Sequence, residues 1–327
     1  MCSSPSWGYI DGAGMHFCGS FACFEDVASL FAEIKRTRSA NARFVLIPCG
    51  KCLSCRMASA RDWSYRCECE LQTYGGIASF LTLTYNDEHL PYDSQGRACL
   101  RKDDYQRFLK RLRKSLDGTR ISYFGCGEYG SKSARPHYHF ILFGYVPDDL
   151  YHFGMSPKGY PILRSPKVES LWTDERDASI GYSTFGLVEP QSIDYVCRYS
   201  LKKAGTDYSG FEVKPFTACS RRPSIGLSWW RKYGASLIRT SADGDVFRAE
   251  VIHRGSRMPL PRFFLKHALH DESFPLDLSK GLSVFRREKM LQNFRERGLD
   301  ILSDRAIVCD DLSTARYMLS VESSPAL

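Results

Sequence analysis

A chain of 327 residues with 43% hydrophobic and 25% charged side chains has a globular composition, long enough for one large domain or two ordinary ones. Forty-five basic against 37 acidic side chains give a formal charge of +8, a modest excess that favours an anionic partner without specifying one. The chain contains no apolar run of membrane-spanning length, no GxxxxGK[ST] phosphate loop, and no internal repeat or low-complexity block, which argues against a membrane-embedded protein, a P-loop ATPase and a solenoid.

In chain order, residues 1–48 mix Gly, Ser, Cys and aromatics and predict an irregular amino-terminal layer with one short helix from Glu25 to Lys35. A second helix is expected from Arg56 to Thr73, where Trp63, Cys67, Leu71 and Tyr74 recur at intervals of three and four. Ala78–Tyr85 alternates and is rich in β-branched and aromatic residues, as a strand requires. Asp103–Leu116 predicts a helix with one apolar stripe of Tyr105, Phe108, Leu109, Leu112 and Leu116, acidic at its start and followed by Gly118. Its other side is basic, and Arg101, Lys102, Arg107, Lys110, Arg111, Arg113 and Lys114 offer either a solvated face or a track for a phosphate backbone. Ile121–Glu128 and Pro136–Gly144 read as two strands of a hairpin. Val146–Pro166 is expected to loop outward, a strand is expected around Tyr182–Val188, and Ser192 is expected to cap a helix beginning beside it. Residues 206–327 predict a mostly helical extension, marked by Trp229, Trp230 and the stretch Leu282–Arg297.

His137 and His139 lie two apart on a predicted strand, so both imidazoles project from one face of a sheet and can grip one ion. The antiparallel register of the hairpin brings Glu128 beside His137. Two imidazole nitrogens and one carboxylate suit Mg2+ or Mn2+ with positions open to water and phosphate oxygens. A satisfied histidine pair and a surface carboxylate are the plainer alternatives. Tyr195 and Tyr199 stand four apart, on one face of the predicted helix. Arg198 and Lys202 each follow a tyrosine by three residues, and a nearby cation favours the nucleophilic phenolate. Packing against another layer would explain the same stripe.

Thirteen cysteines is a high and odd count. Met1–Ser20 lacks a basic start followed by an apolar stretch, so no secretory signal is expected and the thiols are expected reduced in a cytosol. Cys49, Cys52 and Cys55, at two-residue gaps, have the spacing of structural zinc ligands, with Cys67 or Cys69 as a candidate fourth. Reduced thiols at a helix start remain the alternative.

Together these segments resemble the replication initiators of the HUH endonuclease superfamily, in particular those of gokushoviruses, single-stranded DNA phages of the microvirus group. The resemblance rests on PCGKCLSCR (48–56), FLTLTYNDEHLP (80–91), GCGEYG (125–130), RPHYHFILFG (135–144) and YVCRYSLKK (195–203), in that order, with SRRPSIGLSWW (220–230) matching loosely. Arg198 stands where related sequences often carry lysine. The resemblance implies an α+β fold with a central antiparallel sheet flanked by helices, a catalytic domain over residues 49–205, and the tyrosine helix packed beside the histidines. It also implies a divalent ion on His137, His139 and Glu128, and attack by Tyr195 or Tyr199, aided by Lys202, on single-stranded origin DNA. The product would be a 5′-phosphotyrosine and a 3′-hydroxyl primer for the host polymerase, with a host helicase opening the duplex in the bacterial cytoplasm. The second tyrosine would cut at termination and let the ends rejoin. A single-tyrosine relaxase- or transposase-like nickase, a non-catalytic zinc-dependent DNA-binding regulator and a small-substrate metallophosphatase are the competing readings.

Overall fold

The computed structural model describes residues 6–11, 13–20, 24–38, 40, 42–131, 133–156, 159–198, 208–240 and 246–269. They divide between two compact units, one holding the residues up to Ser59 and the other Ala60–Arg239 with the residues from Arg248.

In the first unit β1 (Ser6–Asp11) pairs antiparallel with β2 (Gly14–Ser20) and with β3 (Arg43–Ile47), and α1 (Phe24–Thr37) connects β2 to β3. This corrects the expected irregular layer. Gly8 conceals the strand in the sequence, yet a Cβ there would stand 2.2 Å from the His16 carbonyl oxygen, so the close pairing of β1 with β2 depends on it.

α2 (Leu53–Thr73) leads into β4 (Ala78–Tyr85), α3 (Lys102–Ser115), β5 (Ser122–Tyr129) and β6 (Pro136–Phe143). There follow β7 (Tyr151–Met155), β8 (Pro161–Arg164), α4 (Pro166–Glu169), β9 (Gly181–Gly186), α5 (Pro190–Cys197) and β10 (Phe216–Cys219). Seven of these strands form one antiparallel sheet in the order β10-β5-β6-β4-β9-β8-β7. The fold is therefore α+β with a central antiparallel sheet, as expected.

The period of two sorts the sheet's residues. Leu81, Leu83, Tyr138, Phe140 and Leu142 face α3, where Tyr105, Phe108, Leu109 and Leu112 form the predicted stripe. Phe80, Phe124, Cys126, Ile141 and Phe143 pack on the other face with Cys67 of α2 and with Ile193, Val196 and Cys197 of α5. Each large apolar side chain fully buried in these layers contributes about 1.5–3 kcal/mol. The second layer fixes the position of α5, which carries Tyr195. Gly125 keeps β5 close to β6, because a Cβ there would lie 2.2 Å from the His139 carbonyl oxygen.

Two more expectations change. The segment expected to loop outward instead supplies β7 and β8; a bulge between His152 and Gly154 and the glycine itself break the alternation that would reveal a strand. The described part of the extension carries β10 and a second sheet, β11 (Ile238–Thr240), β12 (Val246–His253) and β13 (Ser256–Pro259), as well as α6 (Leu227–Tyr233) and α7 (Arg262–Leu269). Backbone pairing along the β5 edge and across a tight turn at Arg254–Gly255 stabilises strands too short to stand out in the sequence. Leu282–Arg297 lies outside the described residues. No helix among those described is long and apolar enough to cross a membrane.

Candidate active site

The hairpin of β5 and β6 aligns Glu128 with His137 and Cys126 with His139, so one carboxyl and two imidazoles share a sheet face. Glu128 Oε1 lies 3.0 Å from His137 Nε2 and 3.2 Å from His139 Nε2. Glu128 and His139 are only 5% and 6% exposed. The three ligand atoms all lie within 4.8 Å of one another.

His137 Nδ1 is 3.1 Å from the Arg135 carbonyl oxygen, an acceptor only, so that nitrogen carries the proton of a neutral imidazole. Its Nε2 then turns a lone pair toward a carboxylate oxygen, and two acceptors face each other at hydrogen-bond distance. A cation among them resolves that conflict. Ligands at right angles about an ion at 2.1 Å stand about 3.0 Å apart, which matches both measured separations, so the residues present fit a hard divalent ion.

Thr82 is the residue that the sequence reading missed. It sits opposite His139 in the β4–β6 register, and its Oγ1 lies 2.9 Å from His139 Nδ1, fixing the ring so that Nε2 points at Glu128. Thr82→Val removes this contact while keeping the shape, and is expected to weaken Mn2+ binding by about 10–100-fold in calorimetry.

Tyr195 projects from α5 onto the same cluster. Its hydroxyl donates to Glu128 Oε1 at 3.1 Å, and its ring packs edge-on to His139 with centroids 5.5 Å apart. Burial, and then the adjacent Glu128 carboxylate, push the phenol well above the ordinary tyrosine value, so in this state the oxygen keeps its proton. The expected cationic influence of Arg198 is absent from the described groups that shift the phenol, and its guanidinium instead pairs with Asp194 at 3.1 Å. Tyr199 and Lys202 lie outside the described residues.

α5 begins at Pro190, earlier than expected. Glu189 is its N-cap, and Ser192 is the third residue of the helix in a reciprocal capping box. Arg254, in the turn between β12 and β13, fastens α5 to α2. It ion-pairs with Asp194, donates to the Pro190 carbonyl at 2.7 Å, and donates to Glu68 Oε1 at 2.7 Å. Burial raises the Glu68 carboxyl, but contacts with His253 and Arg254 outweigh it and hold it below its ordinary value. A carboxyl held low contributes stability above its unfolded value and loses that contribution as pH falls through the folded one. Arg254→Ala is therefore expected to cost about 1–3 kcal/mol near neutral pH, with a smaller penalty below about pH 4. Chemical denaturation across pH, with hydrogen exchange of the α5 amides, measures both effects.

The cysteine triplet also comes together. Cys49, Cys52 and Cys55 place their sulfurs within 4.8 Å of one another. Cys49 Sγ accepts from the backbone N–H groups of Lys51 and Cys52 at 3.4 and 3.3 Å, which favours a thiolate. The expected fourth ligand is corrected: Cys67 is fully buried against Cys197, sulfurs 4.0 Å apart, and Cys69 is buried further along the same helix. Core packing commits both, so the described residues supply three thiols.

A family model for replication-associated proteins of the ORF2 type matches residues 78–204, which include Glu128, both histidines and both tyrosines. Replication-associated protein VP4 of Bdellovibrio phage phiMH2K is 34% identical over 66% of this chain and 65% of its own length. Replication-associated protein ORF2 of Spiroplasma virus 4 is 32% identical over 63% of this chain and 65% of its own. Replication-associated protein ORF4 of Chlamydia phage 1 is 28% identical over 67% and 52%. The chain thus spans just under two thirds of the first two relatives. No solved structure matches it.

Proposed function

From the premise that this chain is a relative of microvirus-type phage replication-associated proteins, we propose that it initiates rolling-circle replication by nicking single-stranded origin DNA through a tyrosyl adduct. The supporting observation is the meeting of the Tyr195 hydroxyl and the two histidine Nε2 atoms within 3.2 Å of one carboxylate oxygen. His137, His139 and Glu128 would hold Mg2+ or Mn2+, which when bound would polarise the scissile phosphate and neutralise charge on its oxygens. Tyr195 attacks that phosphorus in line: the phenolic oxygen–phosphorus bond forms and the bond to the 3′ oxygen breaks. The phenolic proton leaves toward Glu128, which already accepts its hydrogen bond, and the departing 3′ oxygen takes a proton from water. The 5′ phosphate stays on the tyrosine, and the free 3′-hydroxyl primes a host polymerase behind a host helicase. The ester conserves the energy of the broken bond, so rejoining needs no ATP. Tyr199 and Lys202 are proposed as the second nucleophile and its cation, and residues 49–205 as the catalytic domain, with β10 completing the sheet edge. Structural Zn2+ is proposed on Cys49, Cys52 and Cys55.

The test is incubation of the full chain with a single-stranded origin fragment and Mn2+, followed by a denaturing gel. A covalent protein–DNA species that requires the metal is expected. Retained DNA binding without any adduct would favour the zinc-dependent regulator. Placing only Tyr195 on the cluster leaves a single-tyrosine nickase as the second reading, in which Tyr199→Phe would still complete both cleavage and joining.

A further inference from the structure

A groove of about 830 Å³ runs along the free edge of the large sheet, on the face opposite Glu128. The end of α3, the Gly118–Arg120 loop, β10 and the turn after it line this groove. Five exposed cations border it: Lys102, Arg113, Arg120, Arg221 and Arg222. No carboxylate is among its lining residues. Elsewhere in this unit the arginines are neutralised, with Arg97 on Asp93, Arg107 on Asp104, Arg135 on Asp87 and Arg164 on Glu169. Among the described residues none of the five groove cations has an ion-pair partner. An uncompensated cluster around a concavity repels itself and invites an anion.

The groove is also lined by partly exposed aromatic rings. Arg113 lies over Tyr123 at 5.4 Å and Lys102 over Phe216 at 5.1 Å, so cation and ring alternate along the wall. The Arg221–Arg222 turn is anchored: Ser220 and Tyr123 exchange hydrogen bonds at 2.9 and 3.0 Å, and the Ser224 hydroxyl donates to the Arg221 carbonyl at 3.1 Å.

We propose that this groove binds a single-stranded stretch of DNA away from the scissile phosphate, with the cations on successive phosphates and Tyr123 and Phe216 against unpaired bases. Repeated cations fit a polyanion, and ring faces are useful only to bases that are not already stacked in a duplex. The inference rests on the proposed nickase reading for its ligand class. It gives the basic side of α3 a narrower role, because Arg107 is committed to carboxylates and Arg111 donates to the carbonyls of Thr173 and Asp174. Lys102 and Arg113 are left for DNA.

The test is fluorescence anisotropy of the full chain with a labelled oligo(dT) of about 30 nucleotides, longer than the roughly 4–16 that one such groove covers. Arg221→Ala/Arg222→Ala is expected to weaken binding about 10-fold and lower the salt slope by about 1.4, since each single-strand phosphate contact contributes about 0.7. Lys102→Ala/Arg120→Ala, on other elements, should give the same loss, and Arg221→Lys/Arg222→Lys should restore most of the slope. Unchanged affinity and slope in both alanine pairs would overturn the proposal, as would an equal loss for duplex of the same length. Adduct yield on a short oligonucleotide spanning only the nick should not change in either pair. Should the protein form no adduct on any DNA, the nickase reading falls, while a groove-dependent loss of oligo(dT) binding still sustains this site.

Discussion

Tyr195→Phe is expected to abolish the covalent protein–DNA adduct, a loss of roughly 10³-fold or more, the scale set by deleting a covalent nucleophile. The substitution removes one oxygen and little else. The ring stays packed against His139 and Phe80, and Ile193 and Val196 still seat α5 on the sheet. The structural cost is one hydrogen bond to a buried carboxylate, about 1.5–3 kcal/mol, so the variant should fold and still bind oligonucleotide and Mn2+. A quench-and-denature assay with labelled origin strand separates chemistry from folding. An adduct formed at the unmodified rate would remove Tyr195 from the nucleophile's role. Tyr199→Phe sharpens the result. If two tyrosines alternate, that variant forms a first adduct but fails to release a closed circle. If one tyrosine serves both cuts, the circle forms.

The chemistry was more legible than its supports. A period of two places His137 and His139 on one face, and hairpin pairing puts Glu128 opposite His137; both follow from local sequence. The α3 stripe is equally local. Thr82 was hidden because its role depends on β4 lying next to β6, a pairing set by the whole sheet. Arg254 was hidden for the same reason, since it meets Ser64 and Asp194 from a turn 190 and 60 residues away in sequence. The positive charges of α3 were visible, but which of them neighbouring carboxylates and carbonyls engage was not. The β7–β8 hairpin escaped notice because a bulge and a glycine interrupt its alternation.

Glu128→Gln is the other substitution with a large expected effect, because Glu128 is shared by the metal ligands and the nucleophile. The amide keeps the size of the carboxyl, and its oxygen can still accept from the Tyr195 hydroxyl, so a purely structural Glu128 would tolerate the change. A ligand would not. The site would lose its one anionic donor and keep only neutral imidazoles, a poor set for a hard divalent ion. Mn2+ affinity is expected to fall at least about 100-fold, since partners outside the ligand shell alone account for about 10–100-fold. Adduct formation should fall in parallel and recover in part at raised metal concentration. His139→Ala should reproduce the metal loss while leaving the charge of Glu128 in place. Calorimetric titration of all three proteins with Mn2+ decides the matter. Equal affinity in the wild type and Glu128→Gln would leave the carboxylate as a hydrogen-bond anchor for Tyr195 and remove it from the metal site.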